Sequence, residues 1–157
     1  MSQFRVEKRR TEAELTLSNG ETRCGCFFLA GATVTAPNAE RAIDLLNAEA
    51  GFFPFETCNG ADTILVNRDH VVLARLKDRM SEALLDPDYE VATVRRVVIT
   101  LTNRMVLRGS VRVYCPAGHD RLSDYARTSQ MFRYVENSDG TFVVNSAHIV
   151  ELSEMTS

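Results

Sequence analysis

The chain has 157 residues, 45% of them hydrophobic and 25% charged, with a formal net charge of −3. Such a composition belongs to a globular protein and excludes a wholly disordered chain. The slight acidity argues against a general nucleic-acid binder, which carries a clear basic excess.

No apolar run approaches the ~18–20 residues of a membrane span. The N-terminal "MSQFRVEKRR" has no apolar stretch behind it of the kind a secretory signal needs, so the cytoplasm is the expected location. There, Cys24, Cys26, Cys58 and Cys115 are expected as free thiols. The Cys24-Gly-Cys26 spacing is too tight for the usual zinc pair, and no second pair follows, so neither metal nor cofactor is expected.

In chain order, "AELTL" at 13–17 alternates as a half-buried strand does, and Ser18-Asn19-Gly20 is a hairpin signal. "CGCFFL" at 24–29 is the returning strand, with a mid-strand glycine that marks a bend or bulge. Alternation turns Gly25, Phe27 and Leu29 inward and Cys24, Cys26 and Phe28 outward. Beyond Asn38, a candidate N-cap, the residues Ala39, Ala42, Ile43 and Leu46 share one helical face, with Gly51 closing the helix. "TILVN" at 63–67 and "HVVLARL" at 70–76 are short β-branched strands joined at Asn67-Arg68-Asp69. Leu76, Met80, Ala83 and Leu84 then fall at helical spacing. Asp86-Pro87 ends that run, giving an acidic helical linker over 77–92.

From 93 onward the same series returns. Aligning 13–31 with 97–115 sets Leu17 on Leu101, Gly25 on Gly109, Phe27 on Val111 and Leu29 on Val113. Aligning 42–56 with 122–136 sets Asp44 on Asp124, Phe52 on Phe132 and Glu56 on Glu136. "LVNRDHVV" at 65–72 meets "VVNSAHIV" at 143–150, with Asn67 on Asn145 and His70 on His148. Three blocks matching in the same order point to a tandem duplication, 5–76 and 93–153, around the linker.

A strand pair with a glycine in its second strand, then two short strands split by a tight turn, resembles the SH3-like barrels of the Sm-like class. "RLSDYA" at 121–126 with "VVNSAHIV", and "AIDLLN" at 42–47 with "FFPF" and "LVNRDHVV", are similar to the signature of an uncharacterised family of small bacterial domains. That signature is "RLSDYLN", a Phe-rich strand, then "VLVNxxHIV". The resemblance implies a β-rich α+β fold: two tandem small barrels, each with an inserted helix, packed as a pseudo-dimer. It carries no activity.

The repeated Asn-x-x-His has a structural reading, because Asn suits a tight turn and His can satisfy a nearby carbonyl. In Sm-like rings this turn lines the nucleic-acid pore, so the resemblance makes Asn67, His70, Asn145 and His148 candidate ligand contacts. Pairing His70 with Asp44, or His148 with Asp124, leaves no nucleophile that recurs in both repeats. Between 93 and 150, eight arginines stand against four acidic residues. Arg95, Arg96, Arg108, Arg112, Arg127 and Arg133 are therefore a candidate basic face for an acidic partner or a phosphate backbone. Cys24, Cys26 and Phe28 form a candidate interface strip. The expected function is non-enzymatic interaction or scaffolding, with a protein partner or with itself and without a membrane. The alternatives are binding of RNA or single-stranded nucleic acid, and small-ligand sensing between the repeats.

Overall fold

A computed structural model describes residues 8–32, 39–58, 62–78, 81–114, 118, 121–127 and 130–155. Alternating apolar residues produce strands β1 (Lys8–Leu17) and β2 (Thr22–Ala30), joined through Gly20 at a φ of 88°. Helix α1 (Ala42–Ala48), β3 (Phe52–Thr57), β4 (Thr63–Asn67), a 3-10 turn at Arg68–His70 and β5 (Val71–Leu76) complete the first half. The second half holds β6 (Thr93–Leu101), β7 (Val106–Val113), α2 (Leu122–Ala126), β8 (Phe132–Asn137), β9 (Gly140–Asn145), a 3-10 turn at Ser146–His148 and β10 (Ile149–Glu154).

All strand pairs are antiparallel, in the order β10-β6-β7-β8-β9-β5-β1-β2-β3-β4. Within each half the order is the same: β5-β1-β2-β3-β4, then β10-β6-β7-β8-β9. The ladder of the last strand in each half is irregular at a matching point, beside Val72 and beside Val150.

This architecture corrects the expected pair of SH3-like or Sm-like barrels, each with an inserted helix, packed as a pseudo-dimer. Among the described residues, the ten strands form a single open sheet, and α-helix is confined to segments of seven and five residues. The halves join by strand pairing. β5 and β9 satisfy each other's backbone donors and acceptors, with Leu73 opposite Val144, Ala74 opposite Val143 and Leu76 opposite Thr141.

Because side chains alternate across a strand, this seam feeds two cores. Val71, Ala74, Leu76, Phe132 and Val143 join Phe27, Phe53, Phe55 and the buried face of α1. Val72, Leu73, Phe142 and Val144 join Val97, Ile99, Leu101 and Val111. Each half therefore lends apolar side chains to the other's core or buries its own against it.

The mid-strand glycines allow close approach. A Cβ on Gly25 would lie 1.9 Å from the Glu56 carbonyl oxygen, and one on Gly109 would lie 2.7 Å from that of Glu136. Helix α1 is shorter than its spacing predicts. It starts after Arg41, whose N–H donates to the Asp44 carboxylate (2.9 Å), so Ala39 precedes it. Asn38, Met80 and Cys115 lie outside the described residues. Among its described residues the linker forms one 3-10 turn, Glu82–Leu85, capped by the Ser81 hydroxyl, and Leu76 belongs to β5 instead.

Candidate functional site

The two Asn-x-x-His segments fold alike. Asn67 Oδ1 accepts from Asp69 N, and Asn145 Oδ1 from Ala147 N, both at 3.0 Å, so each Asn caps its own 3-10 turn. His70 Nδ1 lies 2.7 Å from the Ser18 hydroxyl, and His148 Nδ1 lies 2.8 Å from that of Thr102. The main chain adds Ser18 N donating to His70 O (2.8 Å) and Thr102 N to His148 O (2.9 Å). Each His thus ties the second turn of its half to the first hairpin.

One copy does more. Asn145 is fully buried, and its Nδ2 donates across the seam to Val71 O (3.0 Å) and Arg68 O (3.5 Å). His148 Nε2 lies 2.7 Å from Asp69 O. A carbonyl only accepts, so that nitrogen carries the proton; in the neutral ring Nδ1 accepts from Thr102. Neither Asn67 Nδ2 nor His70 Nε2 has a hydrogen-bond partner among the described residues.

Residues outside the predicted set reinforce the join. Asn47 on α1 clasps Phe132 on β8: its Nδ2 donates to Phe132 O (3.1 Å) and its Oδ1 accepts from Phe132 N (2.8 Å). β7 and β8 pair only near Ser110 and Glu136, which leaves this end of β8 open to the amide. Glu82 of the linker accepts from Ala42 N (3.0 Å), Ile43 N (3.1 Å) and the Tyr134 hydroxyl (2.6 Å). It joins the first turn of α1 to the second half.

The six arginines do not form one open face. Arg133 is 9% exposed, donates to the carbonyls of Gln130 (3.1 Å) and Tyr125, and lies 4.8 Å from the Tyr125 ring centroid. Arg112 donates to Tyr89 O (2.8 Å), stacks on the Tyr89 ring at 3.5 Å and sits 3.6 Å from Glu136. Arg95 pairs with Glu154 at 3.4 Å. Arg96, Arg108 and Arg127 are exposed. Alternation overpredicts a patch because it assigns a side and says nothing about acceptors waiting on it.

The proposed strip is also not the contact between the halves. Cys24 and Cys26 are half-buried, and Phe28 lies under Arg10, whose guanidinium is 5.7 Å from the ring centroid. Burial, aided by the Glu14 carboxylate and opposed by Lys77, pushes the Cys24 thiol up; burial with Glu12 and Glu56 pushes Cys26 up. Both therefore stay protonated and weakly nucleophilic at neutral pH.

Between α1, the linker and the second half lies a cleft of about 550 Å³. Arg41 there bonds Asp44 (3.1 Å) and Asp86 and lies over the Tyr134 ring, while the Tyr89 hydroxyl donates to Glu136 (3.0 Å). Among the described residues, no helix is long and apolar enough to cross a membrane, and no three His, Cys, Asp or Glu side chains group as a metal site would. No family model, curated protein or solved structure matches the chain.

Proposed function

We propose that the protein is a non-enzymatic interaction and scaffolding protein that works through the two ends of its sheet. The carrying observation is that β4 and β10 are the outermost strands, with no partner on their outer edges among the described residues. They expose Leu65 (69%) and Val150 (60%), and Phe52 beside β4 is exposed as well. An open edge offers unpaired N–H and C=O groups, and polypeptide partners add to such edges as strands. Exposed apolar side chains supply the affinity that the ladder alone lacks.

The other readings have less support. Nucleic-acid binding needs a basic face, and Arg112 and Arg133 already serve acceptors inside the protein. Small-ligand sensing has the cleft, but its Arg41–Asp86 and Arg112–Glu136 pairs already satisfy one another.

The test uses the wild type and a Leu65→Lys/Val150→Lys double variant as bait for affinity capture. Removing two docked apolar side chains, each worth roughly 1.5–3 kcal/mol, should cut recovery of any edge-bound protein by at least about tenfold. Melting of the double variant should match wild type, because both side chains are exposed in the free chain. Equal recovery by both baits overturns the reading.

A further inference from the structure

The seam between β5 and β9 is a template for a second contact. Matching the halves by sequence places β4 on β9 and β10 on β5. The seam uses the fifth strand of one half and the fourth of the other. That leaves one unused fourth strand, β4, and one unused fifth strand, β10, at opposite ends of the order.

The exposed apolar residues fall where the seam buries theirs. Leu65, 69% exposed, matches Val143 at 0%. Val150, 60% exposed, matches Val72 at 0%. Phe52, 63% exposed, matches Phe132 at 1%. The polar groups follow the same rule. Asn145 Nδ2 and His148 Nε2 donate across the seam, and their counterparts on Asn67 and His70 are unused among the described residues.

We propose that the partner at the edges is a second copy of this chain, with β4 of one copy pairing antiparallel with β10 of the next in the register of the internal seam. The proposal rests on the edge reading above. Transferring the register sets Val66 opposite Glu151, Leu65 opposite Leu152, Ile64 opposite Ser153 and Thr63 opposite Glu154. Asn67 then donates to the neighbour's Ile149 carbonyl and His70 to its Ala147 carbonyl, as Asn145 and His148 do to Val71 and Asp69. The contact joins unlike surfaces, so it repeats head to tail and gives a ring or a filament.

The outer contact is weaker than the seam, since Glu151 and Glu154 stand where the seam has Leu73 and Leu76. Charges on an edge strand limit its pairing. Association is therefore reversible and concentration-dependent, and Glu151→Leu strengthens it by restoring the seam's residue.

The experiment is light scattering of the full chain across a concentration series, with cysteine crosslinking. The expected result is a mass above the monomer that rises with concentration. Leu65→Lys should need at least about tenfold more protein to reach it, and Glu151→Leu at least about tenfold less. Directly opposed residues in a strand pair have Cα atoms ~4.5–5.5 Å apart, within disulfide reach. A mixture of Leu65→Cys and Leu152→Cys chains should therefore form a 65–152 disulfide, identified by peptide mass spectrometry, and the doubly substituted chain should form a ladder.

Wild type and Glu151→Leu both monomeric throughout would overturn the proposal. So would a 65–65 disulfide as the main product, because it marks a symmetric dimer. If the chain alone stays monomeric while edge variants still lose a different captured protein, self-assembly falls and the edge reading stands. If edge substitutions alter neither experiment, both fall.

Discussion

Gly25 and Gly109 occupy matching positions yet tolerate a methyl group unequally. At Gly25 the added carbon would overlap the Glu56 carbonyl at 1.9 Å, and at Gly109 the nearest atoms are 2.7 Å away. Neither obstacle is only a flexible side chain, so β2 must move off β3, or β7 off β8. Overpacking of this kind costs ~1–3 kcal/mol, occasionally more. Gly25→Ala should lie at or above the top of that range in chemical denaturation, and Gly109→Ala near its lower end; equal losses would contradict the difference in space. The positions of these glycines were legible in the sequence, as were the Asn turn caps, but the glycines answer the carbonyl of a neighbouring strand rather than the expected bend or bulge, for the register runs regularly through both. The role of Arg133 was not legible. Arg68 donates to the Leu45 carbonyl at 3.1 and 3.0 Å, and Arg133 donates to the carbonyl of Tyr125, the residue matching Leu45. The two arginines come from different positions in the repeat, since Arg68 matches Ser146 and Arg133 matches Phe53. The carbonyls in the last turn of a helix need donor partners from outside it, and only three dimensions show which side chain reaches them.

At the scale of elements, the linker and α1 clamp the halves through tyrosine hydroxyls. Burial, with the Glu82 carboxylate beside it, holds the Tyr134 phenol well above its ordinary range. Burial pushes Tyr125 up to about 12, against the opposing pull of Arg133. Burial and then Glu136 raise Tyr89. In the unfolded chain these phenols ionise near pH ~10. A raised folded-state pKa means the unfolded chain loses its protons first. Stability is therefore fully present below pH ~10 and declines as pH climbs through that value toward the folded pKa. Tyrosinate absorbance of the native protein should lag that of urea-unfolded protein and rise together with loss of the β-sheet circular dichroism signal. Native-state ionisation of all four tyrosines at the ordinary pH would refute the clamp. Helical spacing in the linker could not reveal this arrangement. Leu76 is held in β5 by two neighbouring strands, and Glu82 spends its carboxylate on α1 and Tyr134.

For the whole molecule, the repeat alignment located four of the five strands in each half, left β3 and β8 to the Phe-rich strand that the resemblance implied, and misjudged how the halves meet. Hydrophobic periodicity reports which side of a strand is buried, and a closed unit and an open one share that signal. A hint lay in composition: "VVLARL" in β5 is nearly continuous apolar, as a strand buried on both faces should be, while "IVELSE" in β10 carries two glutamates. The seam makes the halves interdependent. Cut at the linker, the first half loses Phe132 and Val143 from its core and exposes Val72 and Leu73. At roughly 1.5–3 kcal/mol per large apolar side chain, four such changes amount to about 6–12 kcal/mol. That matches the whole stability of an ordinary domain, ~5–15 kcal/mol. Residues 1–80 and 81–157 expressed separately should therefore show no cooperative melt, whereas the two mixed should regain one as β5 and β9 re-pair. Leu73→Asp in the first fragment should abolish that recovery, because it places a charge in the core across the seam. Sharp, independent melts of the isolated halves would mean that the seam is a contact between finished domains, and the shared cores would then contribute little.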